Sequence, residues 1–77
     1  MHVTQTLNTV PIGQSVKVSS LNLDQATALR LQALGMTTGT RTEVLGKKGK
    51  GTMIIDLRGT RFALGPSITE RIEVDNG

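Results

Sequence analysis

Met53-Ile54-Ile55-Asp56-Leu57-Arg58-Gly59-Thr60-Arg61-Phe62-Ala63-Leu64 is the stretch that decides the fold class. Its first five residues are enriched in β-branched types and bounded by glycines, which reads as a central strand. Arg58, Gly59 and Thr60 form a tight connection into Arg61 to Leu64, and a Gly-containing link this short between two apolar runs marks a β-hairpin. Alternation with Leu64 directs Phe62 into the core. The same period of two recurs outward in both directions. Thr40 to Leu45 alternates Thr42 and Val44 with Arg41 and Glu43, Gln14 to Ser19 sets Val16 and Val18 opposite Lys17, and Arg71 to Asp75 turns Ile72 and Val74 inward.

Two segments break that period. Leu23 to Leu34 has Leu23, Ala26, Leu31 and Leu34 at helical spacing, Asn22 and Asp24 available as caps, and Gly35 where a left-handed C-cap belongs, so it predicts a helix of about three turns. Pro66 and Ser67 followed by Glu70 predict one helical turn, with Glu70 reaching back to the Ser67 amide. The expected fold is therefore mainly β: a small SH3-like β-barrel of about five strands, with one inserted α-helix and a short helical turn before the last strand.

Length and composition set the limits within which such a barrel works. The 77 residues allow one domain, expected over 1–77, and at 36% apolar its core is small. There is no Cys, Trp or Tyr and one Phe, which excludes disulfides, thiol chemistry and a cysteinyl metal site. No apolar run reaches the roughly 18 residues of a bilayer span, and Met1 to Val10 lacks a basic stretch leading into an apolar one, so a soluble, cytoplasmic protein is expected.

Leu29-Arg30-Leu31-Gln32-Ala33-Leu34-Gly35-Met36-Thr37-Thr38-Gly39-Thr40, followed by Glu43-Val44, resembles the signature of FeoA-type domains: Arg-Leu, two residues, Leu-Gly, a hydrophobic residue, two more, Gly-Thr. Arg58 to Leu64 and Ile72-Glu73-Val74 are similar to that family's second half, and Leu7, Gly13 and Val16 to its opening, so the resemblance covers nearly the whole chain. The sequence departs from it at Thr38 and Thr52, where proline is common, and in the Lys- and Gly-rich stretch Gly46 to Gly51. The resemblance implies an SH3-like barrel in the cytoplasm. It further implies an accessory and regulatory role in ferrous iron transport, exerted by protein contact with FeoB, a membrane transporter with a GTPase domain.

The residues suggest where such contact would be made. At about 100° per residue, the helix spreads Leu29, Ala33, Ala26, Arg30, Leu34, Leu23 and Leu31 across one broad side, with Arg30 inside the apolar stripe. Either the Arg30 stem packs on the barrel with its guanidinium in solvent, or it is a bidentate anchor for an acidic group of a partner. Leu29 and Met36 are either core or an apolar patch, Met36 standing where a residue after the C-cap folds back on the last turn. Arg30, Leu31, Leu34, Gly35 and Met36 are accordingly the candidate partner-binding residues. From Arg41 to Arg61 six basic residues face two acidic ones, a local +4 within a net +3. Lys47, Lys48 and Lys50 are expected on a flexible basic loop, either simply solvated or approaching phosphates, lipid headgroups or an acidic protein face.

Other classes of function fit less well. Nucleic-acid barrels stack bases on aromatic side chains and proline-peptide SH3 grooves are lined by Tyr and Trp, and this chain offers only Phe62. His2 is the sole imidazole, the six acids are scattered, and Gly46 to Gly51 lacks the spacing of a phosphate loop. Neither an enzyme nor a cofactor or metal site is expected. Rival readings remain: a module that modulates a metal-dependent repressor, a weak RNA-binding barrel, and self-association through strand edges.

Overall fold

Val16 and Val18, Thr42 and Val44, Met53, Ile55 and Leu57, and Ile72 and Val74 alternate with less buried neighbours and turn to one side of a twisted antiparallel sheet, where Leu7, Val10, Leu31, Met36 and Leu64 complete the core. The structure, a computed structural model, describes residues 5–76. The sheet is built from β1 (Gln5–Thr6), β2 (Ser15–Leu21), β3 (Arg41–Lys48), β4 (Thr52–Leu57), β5 (Thr60–Leu64) and β6 (Ile72–Asp75). Helix α1 (Gln25–Ala33) lies between β2 and β3, and the single turn α2 (Pro66–Thr69) between β5 and β6. The strand order is β1-β6-β2-β3-β4-β5, with every neighbouring pair antiparallel. This is the SH3-like arrangement expected, with six strands rather than five. The extra strand is the two-residue β1, too short for a period of two to reveal. The opposite edge is β5, and among the described residues the two edges do not bond to each other, which leaves the barrel open along that seam.

The β4–β5 hairpin is tighter than the sequence suggests. Leu57 pairs with Thr60, leaving only Arg58 and Gly59 in the turn, both at positive φ (55° and 87°). Paired positive φ values are those of a type I′ turn, whose twist matches that of the flanking strands. Gly59 adopts its value freely, whereas Arg58 is held in the left-handed region against its Cβ. The Asp56 carboxylate accepts the Gly59 N–H at 2.9 Å and helps to fix the turn.

Other boundaries move for local reasons. Asp24, not Asn22, caps α1, while the Asn22 side chain donates to the Glu73 carboxylate and its N–H to the Arg71 carbonyl. The anticipated capping box at Ser67 and Glu70 does not form: Gly65 is the N-cap, and Pro66 starts α2 with its preset φ. Phe62 is half-buried against the rim of the core rather than enclosed, because β5 is an edge with no strand beyond it among the described residues. The departure at Thr38 is harmless: the Thr40 N–H bonds the Thr37 carbonyl at 3.0 Å, and Gly39 at φ 90° closes the turn.

Candidate functional site

Helix α1 is fixed at both ends by its own sequence. At its start the Asp24 carboxylate accepts the Thr27 N–H at 3.1 Å. Hydrogen bonding from Thr27, aided by the nearby Arg30 charge, holds the Asp24 carboxyl below its ordinary range. At its end the Met36 N–H reaches the Leu31 carbonyl at 2.9 Å and the Gly35 N–H the Gln32 carbonyl at 3.0 Å, with Gly35 at φ 108°. That pair of bonds is a Schellman motif, which brings the residue after the glycine against the one four positions before it. Leu31 and Met36 are those two residues, 7% and 1% exposed. The Leu, Gly and Met of the signature thus form a helix terminator whose apolar clasp enters the core.

The same clasp fixes which face of α1 looks outward. Leu31 is buried and Leu23 half-buried, whereas Ala26, Leu29, Arg30, Ala33 and Leu34 are all exposed. Leu29 and Leu34 are 55% and 53% exposed, matched among the described residues only by Ile12 among large apolar side chains. The broad apolar side read from the sequence is therefore divided: its Leu23–Leu31 limb packs on the sheet, and its Leu29–Leu34 limb faces solvent with Arg30 in the middle.

Each candidate residue now has a place. Arg30 and Leu34 supply the outward surface, Leu31 and Met36 are core residues that position it, and Gly35 is half-buried at its end. Arg58, which sequence reasoning did not attach to this surface, lies over Gly35: a Cβ there would sit 3.7 Å from Arg58 Cδ and 3.8 Å from Leu57 Cδ2. Its charge stands at the C-terminal end of α1, the favourable end for a cation.

Between α1 and α2 runs a groove of about 510 Å³ with Leu23 and Ile68 among its walls and Asp24, Thr27, Arg30, Ser67 and Arg71 as its polar groups. Among the described residues neither guanidinium makes a hydrogen bond or an ion pair within the chain. Arg71 and Ser67 were missed because the groove depends on how α2 packs beside α1, which no local pattern encodes.

The basic element differs from its expectation. Lys47 and Lys48 belong to β3, opposite Met53 and Thr52, and only Lys50 sits in the turn between Gly49 and Gly51. The lysines are exposed, but on a structured hairpin end rather than a flexible loop. The strand continues because the chain bulges between Val44 and Gly46, which resets the register and carries the pairing onward. No three His, Cys, Asp or Glu side chains among the described residues converge as a metal-holding group, and His2 lies outside those residues.

A family model described as FeoA domain matches residues 5–76. A search of curated proteins gives no match. Among solved structures, the chain is similar to FeoA of Stenotrophomonas maltophilia complexed with zinc, at 32% identity and TM-score 0.80, covering 92% of this chain and 89% of that one. It is also similar to FeoA of Chlorobium tepidum, at 23% identity and TM-score 0.88, covering 94% and 70%. A manganese-dependent transcriptional repressor shares the fold at 17% identity and TM-score 0.84, all of this chain matching 38% of that one. The helix terminator, the outward limb of α1 and the β4–β5 hairpin lie within the matched span, and the chain belongs to the FeoA family.

Proposed function

We propose that the chain is an accessory protein of ferrous iron transport that acts by contact, docking the outward limb of α1 on the cytoplasmic side of a FeoB-type membrane transporter with a GTPase domain. The observation that carries this reading is the exposure of Leu29 and Leu34 around Arg30 on a helix that has apolar residues to spare. An apolar pair with a planar, multiply donating cation at its centre is the composition of an interface hot spot. Family membership supports the transport context. So does the Stenotrophomonas relative, described as a prokaryotic SH3-domain protein and a candidate ferrous iron transport activating factor.

In this reading Arg30 and Arg71 at the groove receive acidic groups of the transporter, and Leu29 and Leu34 meet an apolar strip beside them. Lys47, Lys48 and Lys50 steer the encounter or approach the inner leaflet, adding mainly to the association rate. The protein then works as a cytoplasmic adaptor and regulator, not a catalyst. The repressor reading has only the shared fold behind it, which does not carry function.

Shift mapping of the isotope-labelled chain against the transporter tests the proposal. Amides of Leu29, Arg30, Leu34 and Arg71 are expected to move together. Retention of a metal-dependent repressor in a pull-down with no retention of the transporter would overturn it.

A further inference from the structure

The open seam of the barrel presents a second surface, independent of α1. Among the described residues strand β5 pairs only with β4. In a two-residue hairpin the pair that closes the turn exchanges hydrogen bonds, and every second pair after it does the same. Leu57–Thr60, Ile55–Phe62 and Met53–Leu64 are therefore the bonded pairs, and the N–H and C=O groups of Arg61 and Ala63 point away from β4. Among the described residues these backbone groups have no backbone partner. Strand edges are commonly blunted by proline, a bulge or an inward-pointing charge, and β5 has none of these: its register with β4 is unbroken and its one charge, Arg61, is exposed on the outer face. Between the two free backbone positions Phe62 is left half-buried for want of a neighbour.

We infer that the β5 edge receives an extended acidic segment of a partner protein as an added antiparallel strand, with acidic residues at alternate positions and apolar ones between them. An added strand bonded to Arg61 and Ala63 places Phe62 in a non-bonded pair, where side chains approach most closely. The incoming apolar residue then covers the exposed part of the ring, and the acidic residue beside it lies on the outer face opposite Arg61. Charge selects this occupant over a second copy of the chain. Two β5 edges paired with each other gather two copies of Arg58 and of Arg61 on one short ribbon, and β5 itself contributes no acid; Asp56, opposite Arg61 on β4, is engaged by the Gly59 N–H at the turn.

The probe is a short synthetic peptide of alternating glutamate and valine with blocked ends, titrated into the labelled full chain beside an otherwise identical peptide with lysine for glutamate. The expected result is shift change and slowed amide exchange at Arg61 and Ala63 with the glutamate peptide only, weakening as salt is raised. Ala63→Pro deletes an outward-pointing donor without removing any β4–β5 bond, a placement proline tolerates at an edge. It is expected to weaken the glutamate peptide about tenfold while amides of β2 and β6 keep their positions. Arg61→Glu leaves the backbone untouched and is expected to exchange the preference to the lysine peptide, which keeps the test decisive should the proline variant not fold. Equal binding of both peptides, no change at β5 at millimolar peptide, or self-association of the free chain that Ala63→Pro abolishes would each overturn the inference. The helix-face reading stands or falls separately, because neither substitution touches α1.

Discussion

Leu31 and Leu34 are three residues apart on one helix, and truncating each to alanine should give opposite outcomes. Leu31 is 7% exposed and touches the core through the helix-terminating clasp with Met36. Leu31→Ala removes a buried side chain and leaves a cavity, at a cost of about 2–5 kcal/mol. A domain of this size is held by roughly 4–12 kcal/mol in total, and each kcal/mol moves the midpoint by about 4–8 °C, so a fall of at least about 8 °C is expected. Leu34 is 53% exposed and has about half of its side-chain burial to lose, under about 1 kcal/mol. Urea unfolding with an unchanged m-value, run on both variants beside the parent, reads the difference directly. Equal losses, or a larger loss for Leu34→Ala, would refute the division of the signature into a core clasp and an outward surface.

Three further outcomes follow from the same geometry. Gly35→Ala meets only ordinary contacts at 3.7 Å and beyond, so its whole cost, about 1–2 kcal/mol, comes from an alanine held at φ 108°; calorimetry should show it, with Gly35→Asn milder. Thr69 is fully buried and its hydroxyl has no hydrogen-bond partner among the described residues, so Thr69→Val should raise stability by about 1 kcal/mol in chemical denaturation. The Asp24 carboxyl is held below its ordinary range, so its contribution is complete above the unfolded-state value and fades as pH falls through the lower folded one; an acid titration of stability should lose that component in Asp24→Ala.

Most of the strands were legible because each side chain's face alternates with its neighbour's, and a period of two in Val16–Val18 or Ile72–Val74 needs no tertiary information. The ends of α1 were legible for a related reason: a capping Asp and a terminating Gly act on the backbone within a few residues. What the sequence withheld was direction. The helical arc from Leu29 to Leu31 is broad and nearly uniform in hydropathy, and only the Schellman bonds, by committing Leu31 and Met36 to the core, decide that Leu29, Arg30 and Leu34 face water. Lys47 and Lys48 looked like loop residues because lysine and glycine are weak strand formers, yet a bulge at Leu45 let the pairing run on to Lys48. Arg71 joins Arg30, and Arg58 covers Gly35, only through packing between elements distant in the chain.

The central claim is that the outward limb of α1 is a docking surface for the transporter. Its most direct test is the affinity of the full chain for a full-length FeoB-type transporter in lipid nanodiscs, parent against the double variant Leu29→Gln, Leu34→Gln. Covering the exposed halves of two leucines contributes about 1 kcal/mol each, so the double variant should bind roughly thirtyfold more weakly while its unfolding curve stays within about 1 kcal/mol of the parent. Unchanged affinity in a folded double variant would contradict the account.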